Sequence, residues 1–209
     1  MRFNLPAYPT VHFSESIWVQ CPNCQDMGLV RTHLSRYNIP FPTGYSTQFA
    51  CKYCHYSKTH NEDWYGYYQG TSYQTCGFCG SGLSFISEPT KAPYEKVILS
   101  CDACKQTKPY PLKWYRYKED KPIDPFFGLD LWMQTSIKSN TLWLYNQDHL
   151  AYLRAYVQAK LRADDQRHKY SMISNLPQWV KAAKNRDLII RKLNQLEKEL
   201  KNKIKPYQS

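Results

Sequence analysis

The 209-residue chain contains no apolar run long enough to cross a membrane. A spanning helix needs about 18 or more consecutive apolar residues. No window approaches that, and the mean hydropathy is −0.67. The opening stretch, Met-Arg-Phe-Asn-Leu-Pro-Ala-Tyr-Pro-Thr, has prolines and polar residues where a secretory signal has a continuous apolar segment. A soluble, intracellular protein without a membrane partner is expected. The patterns G-x-S-x-G, H-E-x-x-H and G-x-x-x-x-G-K-[ST] are all missing. Nothing therefore nominates a catalytic set, and a non-enzymatic protein is expected. Acidic residues are the scarcer charge, with 17 Asp and Glu against 28 Lys and Arg, a formal net charge of +11.

Cysteine is what the chain has in a pattern. Its eight cysteines form four C-x-x-C pairs, Cys21/Cys24, Cys51/Cys54, Cys76/Cys79 and Cys101/Cys104. The second and fourth pairs lie in segments that repeat at an offset of 50 residues. Cys51-Lys-Tyr-Cys54 aligns with Cys101-Asp-Ala-Cys104, and Trp64-Tyr65-Gly66-Tyr67 with Trp114-Tyr115-Arg116-Tyr117. A repeat is one folding unit used twice. Each unit then owns four thiols. A unit of about 50 residues buries little apolar surface and commonly needs a metal or disulfides. In a reducing compartment the pattern reads as metal ligands.

Two close pairs of thiolates suit tetrahedral zinc, because each turn supplies two sulfurs from one side and a hairpin brings the second turn opposite. Two structural zinc ions are expected, one on Cys21, Cys24, Cys51 and Cys54, the other on Cys76, Cys79, Cys101 and Cys104. Such a site has no open position at which to activate water. Iron takes the same ligands. The gaps between paired turns are 26 and 21 residues, and the gap from Cys54 to Cys76 is also 21. Spacing alone thus permits nested or interleaved pairing, whereas the repeat favours sequential pairing. A thiol–disulfide oxidoreductase is the reactive alternative for C-x-x-C, and His55, next to Cys54, is an alternative ligand or a surface residue.

The excess positive charge is uneven. Residues 141–209 hold 14 Lys or Arg against 6 Asp or Glu, and residues 1–140 hold 14 against 11. Eight thiolates on two divalent ions subtract four charges, leaving about +7 overall and about −1 in the first 140 residues. The basic character belongs to the C-terminal region. Two nucleic-acid candidates follow. In Lys113-Trp-Tyr-Arg-Tyr-Lys118 a strand puts Trp114, Arg116 and Lys118 on one face and Lys113, Tyr115 and Tyr117 on the other, either of which suits bases and phosphates. Trp114 and Tyr115 also suit simple packing of the small unit. The second candidate is the tail around Lys181, Lys184 and Arg186, which reads equally as a solvated helix face.

Strands are expected at Val11–Gln20 and Met27–Leu34, with a loop at 38–44 before the second cysteine pair. Phe85 and Ile86 follow the third pair, Pro89 and Pro93 mark a loop, and Val97 to Leu99 lead into the fourth. Glu119 to Pro125 marks a boundary. Ser136–Asn140 reads as the turn of a hairpin. Asn146 caps a helix carrying Leu150, Leu153, Val157 and Leu161 along one face. A second helix is expected from about Pro177 to Lys203, with Ile189, Leu193, Leu196 and Leu200 as either a core face or a dimer seam.

The two cysteine sets, with Gly80 after Cys79, resemble zinc ribbons of the transcription-factor-IIB type. Phe127-Gly-Leu-Asp-Leu-Trp-Met-Gln-Thr135, Leu142-Trp-Leu-Tyr-Asn146 and His149–Val157 are similar to a tail found in uncharacterised bacterial zinc-ribbon proteins, which implies a bacterial cytoplasmic protein. Glycine is absent after Cys24, Cys54 and Cys104. The expected fold is α+β, with two tandem small β zinc ribbons at 10–70 and 71–120. A β-hairpin and a basic helical segment follow at 121–209. The expected function is zinc-dependent binding of nucleic acid, with a protein-interaction or adaptor module as the alternative.

Overall fold

The computed structural model describes residues 2–34, 45–59, 64–118, 121–160 and 170–204. The loop expected at 38–44, Leu161 and Glu119 lie outside them. The fold is α+β, and the chain forms two compact units. One combines Met1–Glu62 with Leu129–Ser209, and the other is Asp63–Gly128. These units cross the boundaries expected from the sequence. The segment after residue 128 shares a core with the first cysteine unit, and a single strand runs through the expected boundary at residues 70 and 71.

In the discontinuous unit a 3-10 turn, Thr10–Phe13, precedes β1 (Ser16–Gln20), so the expected strand from Val11 forms only in its second half. β2 (Met27–Leu34) appears with the bounds expected for it, and β3 (Tyr45–Cys51) and β4 (Ser57–Thr59) complete an antiparallel sheet in the order β1-β2-β3-β4. The alternation of β1 puts Ile17 and Val19 on one face, where they are fully buried. Ile17 lies opposite Val30, which lies opposite Phe49, making one apolar row across three strands. The free edge of β1 is closed by residues beyond 128. The Trp18 N–H donates to Tyr145 O (2.9 Å), the Trp132 N–H to Trp18 O (2.9 Å), and the Gln20 N–H to Asp130 O (2.8 Å). An edge strand left with unpaired N–H and C=O groups would be a liability.

The second unit contributes β5 (Tyr67–Thr75), β6 (Gly82–Ile86), β7 (Lys96–Ser100), β8 (Thr107–Pro111) and β9 (Lys113–Tyr117). β6, β5 and β9 form one three-stranded sheet, and β7 and β8 form a separate hairpin. In the first unit the two cysteine hairpins join through β2 and β3. In the second the corresponding strands β6 and β7 do not pair. After β6 the chain stays beside β5, through the Ser87 N–H to Gly70 O bond (2.8 Å) and the Tyr68–Thr90 bridge, so Pro89 and Pro93 fall in the segment that leads away to β7. The aromatic segments that aligned as repeats are thus partners, with Tyr67 opposite Tyr117 and Gly70 opposite Trp114.

The rest of the discontinuous unit is the hairpin β10 (Gln134–Ile137) and β11 (Asn140–Trp143), then α1 (Gln147–Gln158), the single turn α2 (Gln178–Lys181) and α3 (Arg186–Ile204). Asn146 caps α1 as expected, its Oδ1 accepting the His149 N–H at 2.9 Å. Its Nδ2 also donates to Phe13 O and Ser16 O, both at 2.8 Å, which ties the helix start to β1. The single helix expected from Pro177 to Lys203 is interrupted. Ala182 adopts φ −67, ψ 126, and a 3-10 turn, Ala183–Asn185, intervenes before α3. Buried Asn185 accounts for the break, since its Nδ2 donates to Trp179 O (2.8 Å) and its Oδ1 accepts from Lys138 Nζ (3.0 Å). Ile189, Leu193, Leu196 and Leu200 are buried within the chain, against α1 and β10, and so form a core face.

Candidate metal centres and basic surfaces

Each C-x-x-C pair occupies the turn of a β-hairpin: β1–β2, β3–β4, β5–β6 and β7–β8. The four turns are built alike. The first cysteine N–H reaches the carbonyl five residues ahead: Cys21 to Asp26 (2.8 Å), Cys51 to Tyr56 (2.8 Å), Cys76 to Ser81 (2.7 Å) and Cys101 to Gln106 (2.9 Å). The residue after the second cysteine is left-handed each time, with φ 62° at Gln25, 59° at His55, 77° at Gly80 and 59° at Lys105. Only Gly80 has the residue type that adopts this conformation freely. The other three reach the same shape against a local cost of about 1–2 kcal/mol each, so glycine is not required to shape the turn.

The eight thiols meet as two sets of four. Cys21, Cys24, Cys51 and Cys54 converge, as do Cys76, Cys79, Cys101 and Cys104, and within each set all sulfurs lie within 4.8 Å of one another. Pairing is therefore sequential, and the nested and interleaved arrangements do not occur. The Sγ–Sγ separations are 3.6 Å for Cys21–Cys54, 3.6 Å for Cys24–Cys51, 3.7 Å for Cys76–Cys104 and 3.6 Å for Cys79–Cys101. A disulfide needs about 2.0 Å. A tetrahedron with metal–sulfur bonds of about 2.3 Å has edges of about 3.8 Å, which these distances match. Each set fits one metal ion, and the arrangement is that of two zinc-ribbon-like sites. His55 is exposed, and with Cys54 already in the cluster no ligand is left for it to replace.

The electrostatics of the clusters also call for a cation. The Asn23 side chain and the Tyr56 N–H draw the Cys54 pKa down to about 6, and the Ser81 hydroxyl and N–H do the same for Cys79. Cys24 receives the Asp26 N–H, yet burial and the neighbouring sulfurs push it up to about 12. Cys104 likewise receives the Gln106 N–H and is pushed up to about 12. Four adjacent thiols cannot all ionise unaided, since each thiolate raises the cost of the next. A divalent ion removes that conflict and holds all four as thiolates. Asn23 and Ser81 were not singled out by sequence reasoning. Their signal was a short polar side chain inside, or two residues beyond, a C-x-x-C pair.

The nucleic-acid candidates separate. Trp114 and Arg116 share one face of β9, with Lys118 just beyond the strand end; Trp114 is half-buried, whereas Arg116 and Lys118 are exposed. The Trp114 indole lies against Gly70, where a Cβ would meet it at 3.0 Å, and its Nε1–H donates to Tyr94 O at 2.8 Å. Arg116 and Lys118 stand over the Trp64 ring at 5.3 and 5.6 Å. Trp64 is itself buried and donates to Tyr67 O. Burial, with Arg116 beside it, lowers the Lys118 pKa, while Asp124 partly opposes the shift. Lys113 and Tyr115 lie on the open side, 5.4 Å from ammonium to ring centroid. Lys91 and Lys121, which sequence reasoning missed because the fold alone brings them together, stand 5.1 and 4.9 Å from the Tyr67 ring.

In the tail, Lys181 Nζ donates to Ser174 O (2.9 Å) and Arg186 to Ala159 O (3.1 Å), just past the end of α1. Both are half-buried, and Lys184 alone of the three is exposed. Lys181 and Arg186 thus hold the chain's own carbonyls. Among the described residues no helix is long and apolar enough to cross a membrane. Searches of protein-family models, curated proteins and solved structures return no match to the chain, so the two four-cysteine centres and the basic surface are read from their own geometry.

Proposed function

We propose that the chain is a non-enzymatic zinc protein that binds nucleic acid through its second unit. Zinc is the metal best suited to four thiolates at tetrahedral edges, and a four-sulfur shell leaves it no open position for chemistry. Eight thiols arranged as metal ligands favour a reducing compartment, and a cytoplasmic location is part of this proposal. Metal analysis of the purified chain is expected to give two zinc ions per molecule. A coloured, iron-containing product would overturn that assignment.

The observation that carries the nucleic-acid reading is the gathering of five cations around aromatic rings in one small unit: Lys91 and Lys121 at Tyr67, Lys113 at Tyr115, and Arg116 and Lys118 at Trp64. Arg116 and Lys118 share one ring, as do Lys91 and Lys121, and a polyanion that takes up such paired positive charge releases its own counterions. Binding of labelled oligonucleotides should therefore weaken steeply as salt rises from about 50 to 200 mM. Changing Lys113 and Lys121 to alanine should flatten that slope. Changing Lys181 and Lys184 should matter less, because Lys181 is already engaged by Ser174. A second reading, a protein-docking module, draws on Ile98 and Phe78, which are 75% and 61% exposed in the same unit. It takes over if no salt-sensitive binding to any oligonucleotide is found.

A further inference from the structure

We infer that the open face of the β6-β5-β9 sheet is a binding platform for single-stranded nucleic acid, with bases stacked on Tyr73 and Tyr115 and phosphates held by Lys113, Lys91 and Lys121. The inference rests on the nucleic-acid reading and narrows it to one strand state and one face.

Strand register defines that face. Thr71 lies opposite both Ile86 on β6 and Lys113 on β9, while Gln69 lies opposite Tyr115 and Tyr67 opposite Tyr117. Side chains alternate along a strand, so Tyr67, Gln69, Thr71 and Tyr73 share a side with Ser84, Ile86, Lys113, Tyr115 and Tyr117. The other side holds buried Ser72 and buried Gly70, against which the half-buried Trp114 indole lies, so it is covered at its centre while Gln74 and Arg116 on it are exposed. The open side presents Tyr73 at 66% and Tyr115 at 49% exposure. No strand position on it carries a carboxylate. Lys113 stands beside Tyr115, and Lys91 and Lys121 beside Tyr67, so the cations flank rings in place of forming a separate patch.

This combination selects the ligand. A duplex offers its phosphates but keeps its base faces stacked inside, so exposed tyrosines on a sheet face have nothing to stack against. A single strand offers both base faces and backbone charge, and stacking on aromatic side chains tolerates any base. Tyr73 and Tyr115 are offset by four residues along the sheet, about 13 Å, which leaves room for a strand to cross the face and engage both rings.

The test uses the zinc-loaded full chain and a labelled 20-nucleotide thymidine strand, free or annealed to its complement, at about 50 mM salt. The single strand is expected to bind more tightly than the duplex. Tyr73→Ala and Tyr115→Ala should each weaken it by about 5- to 160-fold, the range for loss of one stacked base. Tyr73→Phe and Tyr115→Phe should keep the affinity, since the ring remains, and they separate stacking from any loss of folding. The Tyr→Ala variants should leave the salt slope near that of the parent, whereas Lys113→Ala should reduce it by about 0.7 for one phosphate contact on a single strand. If duplex binds as tightly as single strand, or if both alanine variants bind within about twofold of the parent, the platform is wrong while the nucleic-acid reading stands. Absence of salt-sensitive binding to either probe overturns both.

Discussion

Gln25, His55, Gly80 and Lys105 show how a C-x-x-C turn imposes backbone shape one residue at a time. Each follows the second cysteine of its turn, and each is left-handed, although only one is glycine. The ligand spacing was legible in the sequence because C-x-x-C is local. The left-handed residues were not, since nothing in the side chains of Gln25, His55 or Lys105 favours that conformation. His149 makes the same point in the core. It read as one residue of a helix, but it is buried, stacked on Phe13 at 4.8 Å, and its Nδ1 accepts the Tyr145 N–H, so the ring is neutral there. Burial holds its pKa at about 3, against about 6.5 in an unfolded chain. Below about pH 6.5 the unfolded chain takes up a proton that the folded one refuses. Stability from this residue is therefore full above that pH and lost as pH falls toward 3, by at most about 1.4 kcal/mol per pH unit. Comparing denaturant midpoints of the parent and His149→Gln from pH 7 to 4.5 isolates the effect, because thiolate protonation acts on both proteins. The parent is expected to be the more stable at pH 7, with the gap narrowing on acidification. A constant gap would show that the histidine is not held neutral.

At the scale of elements, periodicity found what was amphipathic, and tertiary contacts decided the rest. The stripe of Ile189, Leu193, Leu196 and Leu200 was visible as spacing, and its partners α1 and β10 turned it from an open alternative into a core face. The hairpin around Ser136–Asn140 and the Asn146 cap were equally plain, being set by a short turn and a single side chain. The break before α3 was not, because it depends on Asn185 reaching Trp179 O and Lys138, one of which lies 47 residues away. Nor was the pairing of β5 with β9, since the aligned aromatic segments suggested copies in separate units. If α3 is a core element, Leu193→Ala should destabilise the protein by about 2–5 kcal/mol in denaturant titration without changing its elution position on a sizing column. A change in elution at unchanged stability would restore the dimer seam. Lys203, which bonds Asp26 at 2.9 Å near the other end of α3, is partly exposed at both partners, so the ion pair contributes under about 1 kcal/mol.

At the scale of the whole molecule, the two four-cysteine centres carry unequal structural burdens. The sequence gives them matching ligands, and for that reason both units were expected to depend on metal in place of an apolar core. The structure distinguishes them. Around the first centre, Ile17, Val19, Met27, Val30 and Phe49 are buried in the same unit as Leu131, Leu144, Leu153, Ile189 and Leu193. Each fully buried side chain of this kind contributes about 1.5–3 kcal/mol. Around the second centre, Tyr110 is the one buried apolar side chain in all of β5–β9, and the remainder of that unit's apolar burial lies at Trp64, Ile123, Phe126 and Phe127. Tyr110 also accepts the Gly77 N–H across to the opposite turn, so this tyrosine and the four-cysteine cluster both join β7–β8 to β5–β6. Removing metal with a strong chelator should therefore unfold the molecule in two parts. Amides of β5 to β9 are expected to lose protection from hydrogen exchange, while those of β1, β2, α1 and α3 keep theirs and only the turns at Cys21–Cys24 and Cys51–Cys54 loosen. Cys76→Ser with Cys79→Ser should reproduce the loss in the second unit alone, without chelator. Equal loss in both units would mean that the shared core does not support the first ribbon; persistence of β5–β9 without metal would mean that sulfur ligation is not what holds the second.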